Sequence, residues 1–354
     1  MVALILLIVI LGVLIFVHEL GHFVTAKNRG AYVYEFSLGM GPKIFSFKRK
    51  KESKDPTEYS LRLFPIGGFC AIAGEVDEND NSDVKLKKTD YMCNKKIWER
   101  CVILIAGVTM NFITGILLLF ISGLIWGSTE QKTIVGQAPE GYPIYEAGIR
   151  TGDRVLSIDG KKVKTWDDIT LVLNLKHESE EYVFTVEKKD GGIKNYIVVP
   201  RTVKGEDGKD GMVFGIGQDA TKKRGIVASI KYAFSKSWSI ITSMCTIIGS
   251  LFTGKLSLGA LSGPVGVYSI VGEAAKTSAE SVIYLMAYLS LNLGFINILP
   301  FPAFDGGRVL FLIIEKIRGK KMNSKIENAI NNIGFMLLML LMLIITVKDI
   351  LNLF

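Results

Sequence analysis

The stretch LIFVHELGHFV, residues 14–24, places two histidines and a glutamate near the end of a long uncharged run. Ionisable side chains are costly in a membrane-length helix and persist mainly where they face a protein interior, a watery cavity or a metal. His18 and His22 are four residues apart, so both project from one helix face and can reach one ion. Glu19 can stand beside that ion and take a proton from water. The pattern predicts a hydrolytic site with one zinc ion per chain; the alternative, a surface helix with two histidines, is disfavoured by the apolar flanks.

The composition is too apolar for an ordinary soluble protein. Hydrophobic residues make up 49% of the 354 residues and the mean hydropathy is +0.34, so several membrane spans are expected. The first apolar window lacks the basic start and cleavage site of a signal peptide, so we expect it to be retained. The four cysteines show neither a CxxC spacing nor a disulfide framework. Four windows are long enough to cross a hydrocarbon core of about 30 Å: residues 2–26, 101–126, 282–304 and 330–351.

A catalytic zinc ion needs three protein ligands, and the chain contains only three histidines. The third, His177, lies in the charged stretch KHESEE, residues 176–181, far from any apolar window. A carboxylate is therefore the expected third ligand. The best membrane-embedded candidate is Asp305, in NILPFPAFDGG at residues 297–307.

Residues 237–254 form a fifth apolar window that has to be placed. With four spans, the first and third run in the same direction, so His18, His22 and Asp305 fall toward the same side of the membrane. A fifth span at 237–254 would carry Asp305 to the far leaflet. Residues 225–281 are therefore predicted to be a helical segment that lies on or dips into the membrane surface, with a fifth span as the alternative.

The distribution of basic residues predicts the orientation. Lysine and arginine are concentrated in residues 26–100 and 305–330, whereas none precedes the first window. Both segments are therefore expected in the cytoplasm, with both termini and residues 127–224 outside. The net charge of +8 follows mostly from this bias and predicts a surface that contacts the lipid bilayer, with no nucleic-acid partner.

Residues 127–224 have the composition of a separate soluble domain. Turn signals at Gly148, Thr151–Gly152 and Asp159–Gly160 surround short apolar strands. The pattern A-G-x-x-x-G-D-x-V-L-x-I-D-G over residues 147–160 resembles a PDZ domain. Such domains often bind an extended peptide at a sheet edge. The alternative is a bulky filter that bars substrates with large outer domains.

The whole pattern resembles the site-2 protease family of zinc metalloproteases, of the bacterial regulator of sigma-E protease type. The single PDZ-like insert differs from the two PDZ domains of the best-studied subgroup, and Phe304 replaces the leucine usual before the metal-binding aspartate. The matching motifs are HELGH at 18–22, GGFCAIAGE at 67–75, AGVTMNFITG at 106–115, SGPVGV at 262–267 and NILPFPAFDGGR at 297–308.

The resemblance implies roles for individual residues. His18, His22 and Asp305 would bind zinc, and Glu19 would be the general base. Asn297 matches an asparagine that contacts substrate in the family; the alternative is a polar residue that caps or bridges helices. Further substrate contacts are expected from Gly67, Gly68, Phe69, Pro300 and Pro302.

Residues 36–75 are predicted to form strands, because SLGMGPKIFSF and YSLRLFPIGGFCAIAGE alternate or run apolar between glycines. In the family this region is a hairpin that dips toward the membrane beside the catalytic helix. A transmembrane substrate hides its peptide bonds in internal hydrogen bonds, so a protease must unwind it. A strand edge could replace those bonds. The alternative is a purely structural β-layer.

The expected fold is a polytopic α-helical membrane protein with four transmembrane helices, a membrane-associated β-hairpin layer and an inserted extracytoplasmic PDZ-like α+β domain. Its expected parts are an N-terminal membrane half at 1–126, the PDZ-like domain at 127–224, the membrane-surface segment at 225–281 and a C-terminal membrane half at 282–354.

The expected function is intramembrane cleavage of single-span membrane proteins, such as anti-sigma factors or leftover signal peptides, in a bacterial plasma membrane. The active site is expected toward the cytoplasmic side. Two alternatives are a non-catalytic PDZ membrane adaptor with a structural metal and a metal-ion transporter. Glu19 favours the enzyme over the adaptor, and the clustering of ionisable residues at the ends of two spans disfavours the transporter.

Overall fold

A computed structural model describes residues 2–48, 57–75, 86–175, 180–204, 210–256 and 262–351, so His177 lies outside it. The helices in these ranges are α1 (Val2–Asn28), α2 (Ile97–Trp126), α3 (Pro143–Glu146), α4 (Trp166–Leu175), α5 (Ile226–Phe252), α6 (Pro264–Thr277), α7 (Ala279–Ile298), α8 (Asp305–Arg318) and α9 (Ser324–Leu351). The strands are β1 (Val33–Lys48), β2 (Glu58–Ile72), β3 (Ser128–Thr129), β4 (Val135–Gln137), β5 (Arg154–Ile158), β6 (Lys161–Lys162), β7 (Tyr182–Glu187), β8 (Ile193–Val198), β9 (Arg201–Lys204), β10 (Asp210–Val213), β11 (Gly217–Gln218) and β12 (Lys222–Lys223).

Four of the described helices are long and apolar enough to cross a membrane, as predicted: α1, α2, α7 and most of α9. The third span ends at Ile298, earlier than the predicted residue 304. Pro300 and Pro302 explain the difference, because proline lacks the backbone donor that a continuing helix needs. The fourth helix begins at Ser324, before the predicted residue 330, because helical structure continues into the polar residues that precede the apolar window.

The 27-residue helix α5 covers the fifth apolar window but is not among these candidate spans. The architecture is that of a polytopic membrane protein with added sheets. Contacts divide the chain into two compact units, one of residues 1–118 and 258–354 and the other of residues 119–257.

Close helix packing organises the first unit. Ile10 and Leu14 of α1 pack with Val271 of α6 and Leu285 of α7 in one buried cluster. A Cβ on Gly21 would stand 2.5 Å from the carbonyl oxygen of Ala106, so the absence of a side chain lets α1 and α2 touch along their backbones.

Strands β1 and β2 form a hairpin that folds back on itself. Residues 35–38 pair antiparallel with 68–71 on one side and in a rising register with 58–61 on the other, while residues 43–48 pair antiparallel with 58–62. Gly39 (φ 88°) and Gly67 (φ 107°) adopt the left-handed backbone that these bends require. The segment order is therefore 43–48, 58–62, 35–38 and 68–72, with residues 68–72 at an edge.

The second unit has its own core. A four-stranded antiparallel sheet has the order β6-β5-β7-β8, and short pairs join β4 to β11, β3 to β12 and β9 to β10. Tyr182 and Phe184 of the central strand are fully buried in this core. Helix α5 is held to α4 by Lys236, whose Nζ lies 2.6 Å from a carboxylate oxygen of Asp167.

Asp349 of α9 generates a stability prediction, because its Oδ2 accepts the backbone N–H groups of Gly263 (2.8 Å) and Gly266 (3.0 Å) at the start of α6. Asp349→Ala should reduce the free energy of unfolding by about 2 kcal/mol, since two charge-assisted hydrogen bonds are lost. Thermal unfolding in detergent micelles would measure this. Asp349→Asn keeps an acceptor and should lose less than half as much. If Asp349→Ala unfolded at the same temperature as the wild-type protein, these hydrogen bonds would not stabilise the fold.

Candidate metal centre and active site

His18 and His22 lie one turn apart on the same buried face of α1. Their Nε2 atoms are 3.2 Å apart. The helix pattern read from the sequence therefore brings both imidazoles to one point, inside a segment long enough to span a membrane.

Asp305 joins them from the first residue of α8. The chain leaves α7 at Ile298, passes through Pro300 and Pro302, and enters α8 after Ala303, which has a left-handed φ of 81°. That conformation is uncommon for a residue with a Cβ and is held here by its surroundings. One contact on this turn is the backbone N–H of Ala303, which donates to Oδ1 of Asn331 (3.3 Å).

The three side chains offer a donor set that fits zinc. Oδ2 of Asp305 lies 3.1 Å from Nε2 of His18 and 3.4 Å from Nε2 of His22. Two atoms bonded to one tetrahedral zinc ion stand roughly 3.3–3.5 Å apart. Oδ2 of Asp305 is also buried without a well-oriented hydrogen-bond partner among the described residues. A buried carboxylate oxygen between two imidazole nitrogens is what a metal ligand requires.

The charge state of Asp305 supports the same conclusion. Burial raises its pKa, but the hydrogen bonds and positive charge of protonated His18 and His22 outweigh that effect and hold the pKa well below its ordinary value. Asp305 is therefore a carboxylate at neutral pH and can act as an anionic ligand once the imidazoles have released these protons.

A hydrogen bond orients His22. Its Nδ1 lies 2.9 Å from the carbonyl oxygen of Ile103, which can only accept a hydrogen bond. Nδ1 therefore carries the proton, and Nε2 presents its lone pair to the site. Gly107 leaves the space for this ring, because a Cβ there would collide with the imidazole.

Asn111 of α2 lies beside Nδ1 of His18, as the carbonyl of Ile103 lies beside Nδ1 of His22. Its fully buried amide contacts Nδ1 of His18 at 3.1 Å through Nδ2, while its Oδ1 has no hydrogen-bond partner among the described residues. A half-turn of the amide would let Oδ1 accept the Nδ1 proton. That orientation satisfies the buried oxygen and leaves Nε2 of His18 free to bind a metal.

Glu19 lies next to the three candidate ligands His18, His22 and Asp305 but is not one of that group. Its carboxylate makes no hydrogen bond or ion pair with any residue that the structure describes. It lines a cavity of about 550 Å³ together with His18, His22, Asp305 and the edge-strand residues Phe69–Ile72. Gly68 brings that strand close, since a Cβ there would lie 3.6 Å from Cγ of Glu19.

The other predicted substrate residues are more dispersed. Phe69 lines the cavity, whereas Gly67, Gly68, Asn297, Pro300 and Pro302 are not among the described lining residues. Gly67 precedes the edge segment and Gly68 is its first residue, while Asn297 is half-buried in the last turn of α7. Pro302 packs against α9: a Cβ built on Gly334 would stand 2.6 Å from the Cβ of Pro302.

Sequence reasoning missed four residues around the site. Asn111 and Gly107 lie in the quoted stretch AGVTMNFITG, and a buried amide in an apolar helix could have drawn attention to Asn111. Arg308 forms a close ion pair with Glu75 at the cavity wall. No local pattern links these two, because they are far apart in the chain.

The contact with His18 predicts that Asn111→Leu weakens zinc binding by about 10- to 100-fold, because nothing then fixes the proton on Nδ1. Competition with a chromophoric chelator would measure affinity, and the absorption spectrum of the cobalt-substituted protein would report ligand geometry. Asn111→Asp keeps an acceptor and should bind near wild-type. Thr109→Val, whose hydroxyl bonds only within α2, is the matched control. A leucine variant with wild-type affinity and spectrum would exclude this role.

Comparison with known proteins identifies the family. The model of peptidase family M50 matches residues 6–341. The chain is 33% identical to the regulator of sigma-W protease RasP of Bacillus subtilis, with 98% of each chain covered. It is 32% identical to the zinc metalloproteases RasP of Bacillus licheniformis (98% of each chain) and of Geobacillus kaustophilus (97% of this chain and 96% of the relative). The chain therefore belongs to peptidase family M50.

Proposed function

We propose that this chain is an intramembrane zinc metalloendopeptidase that cuts single-span membrane proteins in regulated proteolysis. Membership of peptidase family M50 and its RasP relatives support a zinc metalloprotease in a membrane. The observation that carries the proposal is the convergence of His18, His22 and Asp305 beside Glu19, with both histidines within a candidate span.

In this proposal His18, His22 and Asp305 hold one zinc ion. When bound, zinc polarises the scissile carbonyl and makes a water molecule more acidic. Glu19 is the general base: its unpartnered carboxylate takes the proton of the attacking water and passes it to the leaving amine. Asn111 and the carbonyl of Ile103 keep the two imidazoles in the tautomer that binds metal.

The edge segment 68–72 would hold the substrate in an extended form. It pairs with residues 33–38 on one side, and no other described strand pairs with it. Phe69, Cys70, Ala71 and Ile72 line the same cavity as Glu19. A substrate segment that unwinds there can replace its helical hydrogen bonds with bonds to this edge, which lowers the cost of exposing its peptide groups in lipid.

The remaining substrate contacts are assigned by position. Asn297, with Pro300 and Pro302 after it, stands where α7 gives way to the turn before Asp305, and its side chain makes no hydrogen bond with the described residues. Gly67 and Gly68 set the bend and approach of the edge strand. We assign substrate contact to all five.

The domain and membrane organisation is inferred from the sequence pattern. Residues 127–224 are proposed to be an extracytoplasmic PDZ-like domain that either binds an extended peptide or excludes bulky substrates. The hairpin layer would contact lipid, since Ile44, Phe45 and Phe64 are more than half exposed. Both termini would be extracytoplasmic, and the active site would lie toward the cytoplasm of a bacterial plasma membrane.

The proposed substrates are anti-sigma factors or remnant signal peptides. The name of the Bacillus subtilis relative describes a regulator of sigma-W, which supports the first class. We propose, from the resemblance to the site-2 protease family, that another protease first shortens the outer part of the substrate.

Glu19→Gln should reduce cleavage by at least about 100-fold, the lower range for loss of a general base, while zinc stays bound. The purified protein would be reconstituted with a tagged single-span substrate, and product ends mapped by mass spectrometry. Glu273→Gln, an exposed change on α6, is the matched control. Cleavage that survives in Glu19→Gln would remove this residue from the mechanism.

The edge-strand proposal predicts an alternating effect of substrate N-methylation. Only every second residue of a paired strand directs its N–H toward its neighbour. Substrates with single N-methyl groups at successive positions around the cut should therefore alternate between strong and weak inhibition of cleavage. Initial rates in detergent micelles would show this. Equal effects at successive positions would argue against strand addition.

A further inference from the structure

A second cavity, of about 560 Å³, lies within the unit of residues 119–257. Its walls come from the segment after α2, from the residues before α4 and from the first turns of α5. It shares no lining residue with the cavity beside Glu19 and has no role in the chemistry proposed above.

The cavity wall carries an excess of positive charge. Lys132, Lys164, Lys223 and Lys231 line it, against the single carboxylate of Glu130. Lys132 and Lys223 both pair with Glu130 and lower its pKa to about 2, so it stays ionised and neutralises one of them. Lys164 and Lys231 make no ion pair with the described residues. The cavity therefore has an unbalanced charge that suits an anion.

Backbone donors add to this charge. Val227 and Ala228 line the cavity and belong to the first turn of α5, where N–H groups have no acceptor within the helix. Gly225 precedes this turn and has no side chain to cap it. A helix start of this kind favours a phosphate group.

The cavity lies at the end of a candidate membrane span. Helix α2 ends at Trp126, and Ser128 already lines the cavity. A Cβ on Gly123 in the last turn of α2 would stand 3.2 Å from Cβ of Ser229 on α5, so the start of α5 is level with the end of the span. Tryptophan at such a position is typical of the membrane–water interface. The basic cavity is thus at headgroup depth.

An exposed apolar stripe leads away from the cavity along α5. Ile226, Ile230, Phe234 and Trp238 recur every four residues and are each 43–67% exposed. In water such a stripe would be unfavourable, but it can lie in the acyl region beneath a headgroup.

We propose that this cavity binds the phosphate-bearing headgroup of an anionic phospholipid, with the acyl chains along the apolar stripe of α5. The uncompensated lysines and the free amides of the first turn recognise the phosphate, and the stripe distinguishes a lipid from a soluble phosphate. Bound lipid would fix α5 at the membrane surface.

The test is lipid retention by the full-length protein in detergent micelles. Phosphatidylglycerol and phosphatidylcholine of matched chains would be titrated, with bound lipid counted by native mass spectrometry. Wild-type protein should prefer phosphatidylglycerol. The double variant Lys164→Gln and Lys231→Gln should bind phosphatidylglycerol about 25-fold more weakly, because each lysine near an anionic headgroup contributes about 5-fold. Lys161→Gln with Lys194→Gln, two exposed changes in the same unit, is the matched control and should bind as wild-type.

Two further arms separate the sources of phosphate. Phe234→Ser should weaken retention of phosphatidylglycerol, and glycerophosphoglycerol, which lacks acyl chains, should not displace the lipid at equal concentration. Displacement by that soluble headgroup at equal concentration would mean a phosphate site rather than a lipid site. Equal retention of both lipids by wild-type protein, or unchanged binding in the double lysine variant, would overturn the proposal. Lysine-dependent binding of an acidic peptide without lipid preference would also overturn it.

Discussion

An ionisable side chain in the hydrocarbon layer has no bulk water to hydrate it, so each one must be matched by the protein or by a ligand. This constraint organises the first unit. His22 is matched by the carbonyl of Ile103 and His18 by the amide of Asn111, which leaves one nitrogen of each ring directed at Asp305. Helix packing serves the same end, since Gly21 and Gly107 let α2 come close enough to supply these groups.

The hairpin lies against the same helix and borders the same cavity. Phe16 and Phe23 of α1 pack against Phe36 of β1, so the sheet is anchored to the helix that carries the histidines. Because β1 folds back, its first half is enclosed between two segments, and residues 68–72 are left at the edge nearest Glu19. No other described strand pairs with this edge, so under the proposed function its peptide groups would be available to an unwound substrate.

Much of this could be predicted from the sequence because the signals are local. Four apolar windows predicted the spans, and the i, i+4 spacing of His18 and His22 predicted their common face. Boundaries near Pro300 were less accurate, since hydropathy does not register a missing backbone donor. Gly107 and the Arg308–Glu75 pair could not be found, because their roles depend on contacts between segments distant in the chain, whereas Asn111 carried a signal as a polar residue in an apolar helix. The double pairing of β1 was equally hidden, as it depends on bends at Gly39 and Gly67.

The left-handed backbone of Ala303 has a consequence for how the centre is assembled. A residue with a Cβ gives up roughly 1 kcal/mol or more to hold that conformation, so the turn before Asp305 is imposed by its neighbours rather than chosen by its own sequence. The path of the backbone into Asp305 is thus set by the fold. In the proposed zinc site this turn carries the third ligand, so less backbone freedom remains to be lost there when a metal binds.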